Sequence, residues 1–278
     1  MVGKARDKVA KLKRISNELR KAVIDMIYRA GSGHPGGSLS AADIVATLYF
    51  DKMRIDPSRP DWEDRDRFIA SKGHAAPVIY AVLARLGFFS KDELQTFRQV
   101  GSILQGHPDM LKTPGIDMTS GSLGQGLSCG IGMALAARLS GRSYYVYVLL
   151  GDGELNEGQI WEAAMAAVKY RVSNLVAICD WNGLQLDGPT DEVMPMGDLP
   201  GKWRSFGWNV IEVDGHDVSQ ISEAIDRAKS NTTGPTIIMA RTVKGKGVCF
   251  MENNFAWHGK PLGDADYMAA MAELEEVK

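Results

Sequence analysis

The chain has 278 residues, a formal net charge of −2 and 45% hydrophobic residues. Mixed charge of this size leaves no electrostatic footprint for nucleic acid or an anionic membrane, and the length suits one large α/β domain with a substantial core. Residues 1–8, Met-Val-Gly-Lys-Ala-Arg-Asp-Lys, lack an apolar signal core, and no apolar run approaches the ~18 residues that span a bilayer, so a cytoplasmic location is expected.

Between residues 7 and 30, Leu12, Ile15, Leu19, Val23, Met26 and Ala30 recur every three or four positions among lysines and arginines, which predicts an amphipathic helix. The stretch Gly31-Ser-Gly-His34-Pro-Gly-Gly37 is too rich in glycine and proline to continue a regular element, and Ser40 reads as the cap of a helix through Phe50. Strand-like residues 67–70 lead into Ser71-Lys-Gly-His74-Ala75. Ser90 reads as the start of a further helix, and the loop after it holds Gly106-His107-Pro108. A glycine beside a histidine serves a plain turn or lets backbone and side chain approach a small ligand. Three such loops ahead of the core favour the ligand.

Residues 119–126, Thr-Ser-Gly-Ser-Leu-Gly-Gln-Gly, form a glycine-rich turn before an alanine-rich helix to Leu139. Residues 144–150, Tyr-Tyr-Val-Tyr-Val-Leu-Leu, are an unbroken apolar run, as expected of a parallel strand covered on both faces. The strand ends at Gly151-Asp-Gly-Glu154. A helix over residues 158–170 places Trp161, Ala164, Met165 and Val168 at helical spacing, and residues 174–180 form a second buried strand before Trp181 and Asn182. This is a βαβ unit, whose ligands bind outside the carboxyl ends of the strands. Further strands are expected near residues 208–213 and 235–243, with a helix over 218–229 between them. Arg241-Thr-Val-Lys244-Gly-Lys246-Gly247 could be a basic loop at a ligand's phosphates, but lysines among glycines more often form a solvated loop, and the latter is the expectation; His216 reads as structural, and Glu273, Glu275 and Glu276 as a solvated helix face. Cys129, Cys179 and Cys249 read as buried small hydrophobes.

Asp152 follows one core strand and Asn182 the other. Glycines on both sides of Asp152 free backbone amides for an anion. A carboxylate beside a phosphate repels it unless a cation lies between, so the pattern asks for a hard divalent ion bridging protein and diphosphate, and magnesium fits best. The alternative is a dinucleotide site, since Gly151-x-Gly153-x-x-Asn156 nearly matches the glycine fingerprint and Asp180 ends the next strand. Asn156 in place of the third glycine, and the acidic Asp152 and Glu154, weigh against it.

The pair Gly151-Asp152-Gly153 and Asn182 resembles the signature of thiamine-diphosphate enzymes. The histidine loops and the late segment Trp257-His258-Gly-Lys-Pro resemble transketolase in particular. The resemblance implies an α/β fold with a mainly parallel sheet and helices on both faces, the family's diphosphate-binding domain, spanning residues 1–278 with an N-terminal helix and a C-terminal helical tail. It implies thiamine diphosphate and Mg2+, with Ca2+ able to substitute, the metal being held by Asp152, Asn182 and the Leu184 carbonyl. It assigns cofactor contacts to His74, Gly121, Ser122, Leu123, Gly151, Gly153, Glu154, Glu157, Asn182 and His258, and catalytic roles to His34, His74, His107 and His258. Glu157 is similar to the family's inner glutamate, which bonds across a subunit interface. Ser122 stands where proline is common in the family, and Trp181 where an acidic residue is common.

The family's pyrimidine domain and its activating glutamate are not expected within these 278 residues. The resemblance therefore implies a split transketolase in which a separate C-terminal subunit supplies them, as an α2β2 assembly acting on sugar phosphates, with no nucleic acid or membrane partner. Competing expectations are another thiamine-diphosphate reaction, a specialised sugar or sulfosugar transketolase, and a catalytically silent binding subunit.

Overall fold

Five apolar runs form one sheet, ordered β1-β2-β3-β5-β4, with every neighbouring pair parallel. The strands are β1 (Arg67–Ala70), β2 (Val146–Gly151), β3 (Leu175–Trp181), β4 (Asn209–Asp214) and β5 (Thr236–Arg241). The helices are α1 (Val2–Ala30), α2 (Pro35–Ser40), α3 (Ala42–Thr47), α4 (Ala76–Leu86), α5 (Gln125–Leu139), α6 (Gly158–Lys169), α7 (Thr190–Val193), α8 (Leu199–Ser205), α9 (Val218–Ser230) and α10 (Asp264–Glu276). This computed structural model describes residues 2–276; Met1, Val277 and Lys278, at the ends of the expected 1–278 domain, lie outside the described residues, as do the side chains of residues 2–5.

The strands alternate side chains between two cores, as a pleated sheet covered on both faces must. Tyr147, Leu149, Val176 and Ile178 face a layer built by α1, α3, α4 and α9. Val148, Leu150, Ala177 and Cys179 face α5, α6 and α8. The expected α/β architecture, with helices on both faces of a parallel sheet, is what forms. No described helix is long and apolar enough to cross a membrane.

Several local expectations are corrected. Helix α2 starts inside the glycine-proline stretch, directly after His34. Proline at the first helical position forfeits no hydrogen bond and already has a helical φ, so Pro35 begins this helix where it was expected to block one. Ser40 is thus the end of a helix, and Ala41 separates it from α3. Ser90 accepts from the Asp92 amide but begins only a short 3-10 turn, Lys91–Thr96. Helix α6 turns Ile160, Ala163, Ala164 and Ala167 inward and leaves Met165 56% exposed, because small alanines let it lie close to α5 and the sheet. Of the three cysteines only Cys179 is buried; Cys129 lies on the outer face of α5 and Cys249 in a loop. Glu275 and Glu276 are solvated as expected, whereas Glu273 accepts from the Cys249 amide.

The start of α5 presses against the end of β1. A Cβ on Gly126 would lie 2.4 Å from Ser71 Oγ and 2.9 Å from Ser71 Cα. Ser71 cannot retreat, because its hydroxyl is bonded to the buried Glu154. Gly126→Ala is expected to destabilise the fold by about 1–3 kcal/mol through overpacking, read as a lower urea midpoint at unchanged slope.

Candidate functional site

Parallel pairing brings four adjacent strand ends to one edge of the sheet, and each delivers chemistry. Beyond β1 come Ser71, Lys72 and His74; beyond β2, Asp152 and Gly153; beyond β3, Asn182 and Leu184; beyond β5, Thr242 and Lys244. The cavity between them is lined by Lys72, His74, Asp152, Asn182, Lys244 and His258, with Leu123 and Leu186 as apolar walls.

At its floor is a buried ion pair. Asp180, wholly buried at the end of β3, accepts from Lys72 Nζ, from Ser40 Oγ at 2.6 Å and from Thr242 Oγ1. Lys72 Nζ also donates to the Gly37 carbonyl at 2.7 Å. Burial opposes the charge on Asp180, yet Lys72 and the hydroxyl donors hold its carboxyl below the usual range.

Asp152 is 3% exposed and accepts only from backbone: the Gly183 amide at 2.5 Å and the Gly153 amide at 2.9 Å. Burial, then the neighbouring Asp180 charge, push its pKa up to about 6. Asn182 Oδ1 accepts the Leu184 amide at 3.1 Å, and the Leu184 carbonyl accepts from Lys244 Nζ at 3.2 Å. Lys244 is 3% exposed and makes no salt bridge among the described residues; burial, then the charge of Lys72, lower it to about 8. Both lysines fall outside the set expected from sequence. The signal for Lys72 was its place in the same loop as His74, and for Lys244 the basic loop it belongs to; a lysine in a glycine-rich loop looks solvated unless the fold turns it inward.

Four histidines from distant loops meet above this floor. Ring centroids lie 5.4 Å apart for His34 and His74, 4.9 Å for His74 and His258, 5.5 Å for His34 and His258, and 6.3 Å for His34 and His107. Burial, then the positive charge of Arg98, pushes His34 down to about 4; burial, then Lys244, pushes His258 down to about 3. His74 and His107 are also lowered, first by burial and then by Lys72 and Arg98 respectively. All four shifts favour the neutral ring, which offers one donor and one acceptor nitrogen. His258 Nδ1 is buried with no partner among the described residues. His216 stands apart from the cluster, bonded to Asp43 and the Val243 amide.

The remaining expected residues divide. Gly151, Gly153, Glu154, Leu184 and Leu123 line the cavity with Asp152 and Asn182. Glu154 spends its oxygens on Ser71 and on the Gly124 and Gly151 amides, so it ties β1, β2 and the Gly121–Gly124 turn together. Gly121 lies under the His107 ring, while Ser122 and Glu157 are exposed and off the cavity wall.

Residues 11–275 match the family model described as "Transketolase, thiamine diphosphate binding domain". The chain is 46% identical to a Clostridium sp. (strain MSTE9) protein named 6-deoxy-6-sulfo-D-fructose transketolase subunit SqwG, over 94% of this chain and 95% of that protein. It is 42% identical to a Phocaeicola vulgatus protein named as an apulose-4-phosphate transketolase subunit, over 94% and 92%. Human transketolase is 44% identical over 92% of this chain, which spans only 40% of that protein. The crystal structure of Pichia stipitis transketolase with sedoheptulose-7-phosphate superposes with a TM-score of 0.90 at 36% identity, over 95% of this chain and 40% of that one.

Asp180→Ala leaves the Lys72 ammonium buried without its counter-charge and is expected to cost about 3–5 kcal/mol in urea denaturation. The double change Lys72→Met with Asp180→Leu is expected to cost less than this single one, since it removes both charges together.

Proposed function

The chain belongs to the transketolase family, as its thiamine diphosphate binding domain, and from that premise we propose that it is the diphosphate-binding subunit of a split transketolase. It transfers a two-carbon ketol unit from a ketose to an aldose, and a separate chain supplies the pyrimidine domain and its glutamate in an α2β2 assembly. The observation that carries this reading is the convergence of Asp152, Asn182 and the Leu184 carbonyl beside buried Lys244, in a cavity whose wall includes His74 and His258 with the His34 ring packed against both. The Clostridium and Phocaeicola relatives, each matched over almost its whole length, are named as subunits, which supports a partner chain.

The residues fit the implied ligands. Asp152 is a buried carboxylate bonded only to amides, so it lacks the compensating charge that a divalent cation brings. Asp152, Asn182 and the Leu184 carbonyl are hard oxygen donors of the kind Mg2+ prefers and Ca2+ also accepts. Lys244 is a buried cation without a described carboxylate of its own, suited to a diphosphate oxygen.

Bound thiamine diphosphate supplies the carbon nucleophile for carbon–carbon cleavage and the sink for the electron pair released. The chain's own residues bind, orient and move protons. Asp152, Asn182 and the Leu184 carbonyl would hold the metal, and Lys244 and the Gly153 backbone would face the diphosphate. His34, His74 and His107 orient donor hydroxyls; being neutral, each can accept a hydroxyl proton on one nitrogen while donating from the other. His258, on the cavity wall, would reach the diphosphate. The single domain over 1–278 is then one half of the catalytic unit. A specialised ketose donor is favoured by one observation: relatives covered almost end to end are named for 6-deoxy-6-sulfo-D-fructose and for apulose-4-phosphate.

The test is ketose-dependent two-carbon transfer to an aldose phosphate with thiamine diphosphate and Mg2+, for this chain alone and mixed with the product of the neighbouring gene. Activity is expected only in the mixture, absent in Asp152→Ala, lost to a chelator and restored by Mg2+ or Ca2+. Activity of the chain alone overturns the split assignment; inactivity of the mixture with phosphorylated, sulfonated and unmodified ketoses overturns the transketolase reading.

A further inference from the structure

Beneath the segment that carries Lys244 runs a buried polar chain that contacts neither cavity nor cluster. Arg20 on α1 grips Asp43 on α3 with both terminal nitrogens. Asp43 Oδ2 also meets His216 Nδ1 at 2.8 Å, and the Val243 amide donates to His216 Nε2 at 2.8 Å. A backbone amide can only donate. His216 Nε2 must therefore be bare, and the ring's single proton sits on Nδ1, directed at Asp43. Placing a second proton on Nε2 sets two donors against each other across that bond.

The same chain touches the segment again beyond Lys244. A Cβ on Gly247, whose φ is +93°, would lie 3.1 Å from Arg20 Cδ. Lys244 thus projects from a segment whose preceding amide is bonded to His216 and whose Gly247, three residues further on, packs against Arg20. Burial works against the charge of Asp43, but Arg20 and His216 hold its carboxyl down at about 2. The anion that orders both partners is permanent.

We infer that Arg20, Asp43 and His216 are positioning residues that aim Lys244 into the cavity, so that the affinity for a diphosphate depends on a histidine that never touches it. The inference rests on Lys244 facing the diphosphate in the proposed function. His216 is to the Val243 amide what an outer-shell carboxylate is to a metal-bound histidine: it fixes the orientation of the group that does the binding.

The probe is inorganic pyrophosphate with Mg2+, titrated calorimetrically into the full chain. Lys244→Met is expected to weaken binding at least tenfold, and His216→Ala about tenfold, the cost of freeing a buried amide. In the Lys244→Met background, His216→Ala is expected to add little, because both changes remove the same contact. His216→Gln, whose carboxamide carries one donor and one acceptor at a similar separation, should recover most of the affinity. Nitrogen NMR of the wild-type chain should show His216 protonated on Nδ1 alone. An equal loss from His216→Ala in both backgrounds overturns the inference, as does a proton on Nε2, and the latter needs no variant to fold. Unchanged binding in Lys244→Met instead overturns the role of Lys244, which identifies the underlying reading as the one that failed.

Discussion

Everything at the carboxyl edge of the sheet depends on how Asp180 is satisfied. It has no exposed surface, and Lys72 from beyond β1, Ser40 from the end of α2 and Thr242 from beyond β5 converge on it. One carboxylate therefore sets the relative positions of three strand ends and of the helix that follows His34. A buried pair of this kind contributes little net stability against well-packed apolar residues, because both ions lose their hydration. Its use here is geometric: it fixes the loops that carry His34, His74 and Lys244 relative to Asp152.

The same buried charges set the electrostatics of the cavity. Lys72 is neutralised by Asp180, while Lys244 has only a carbonyl for a hydrogen-bond partner among the described residues, and burial lowers the pKa of all four histidines. The floor thus carries one compensated cation, one uncompensated cation and one carboxylate against backbone amides. A diphosphate alone meets Lys244 but is repelled by Asp152. A divalent cation alone suits Asp152 but faces Lys244. Only the two together satisfy both groups, which is why the donor set favours a metal diphosphate over either component.

Much of this was legible in the chain because it is written in local patterns. The apolar runs at β2 and β3 and the glycine pair around Asp152 located the strand ends, and the spacing to Asn182 placed two oxygen donors side by side through the parallel register of Gly151 with Asp180. The histidine loops were visible as glycine-histidine pairs. What local pattern could not supply was long-range burial. Lys72 and Lys244 look like surface lysines until Asp180, 108 positions from Lys72, and the Leu184 carbonyl, 60 positions from Lys244, close around them. His216 read as structural for the same reason: its partners, Asp43 and Val243, are 173 and 27 residues away. Met165 and Cys129 failed differently, since periodicity shows that a helix has an apolar side but not which of two apolar sides the sheet will take.

The opposed shifts of Asp152, up to about 6, and Lys244, down to about 8, have one first cause, burial, and so report the same penalty on two charges of opposite sign. In the protein alone both charges are held at a burial cost that solvent would not impose. A cation against Asp152 and an anion against Lys244 remove both penalties at once, and any ligand that binds the folded chain in preference to the unfolded one stabilises it by mass action. Cofactor binding and local stability are thereby coupled through two side chains. Rigid strand ends make the coupling possible, because Asp152 and Lys244 cannot swing out to water without breaking the hydrogen bonds to the Gly183 amide and to the Leu184 carbonyl that hold them in place.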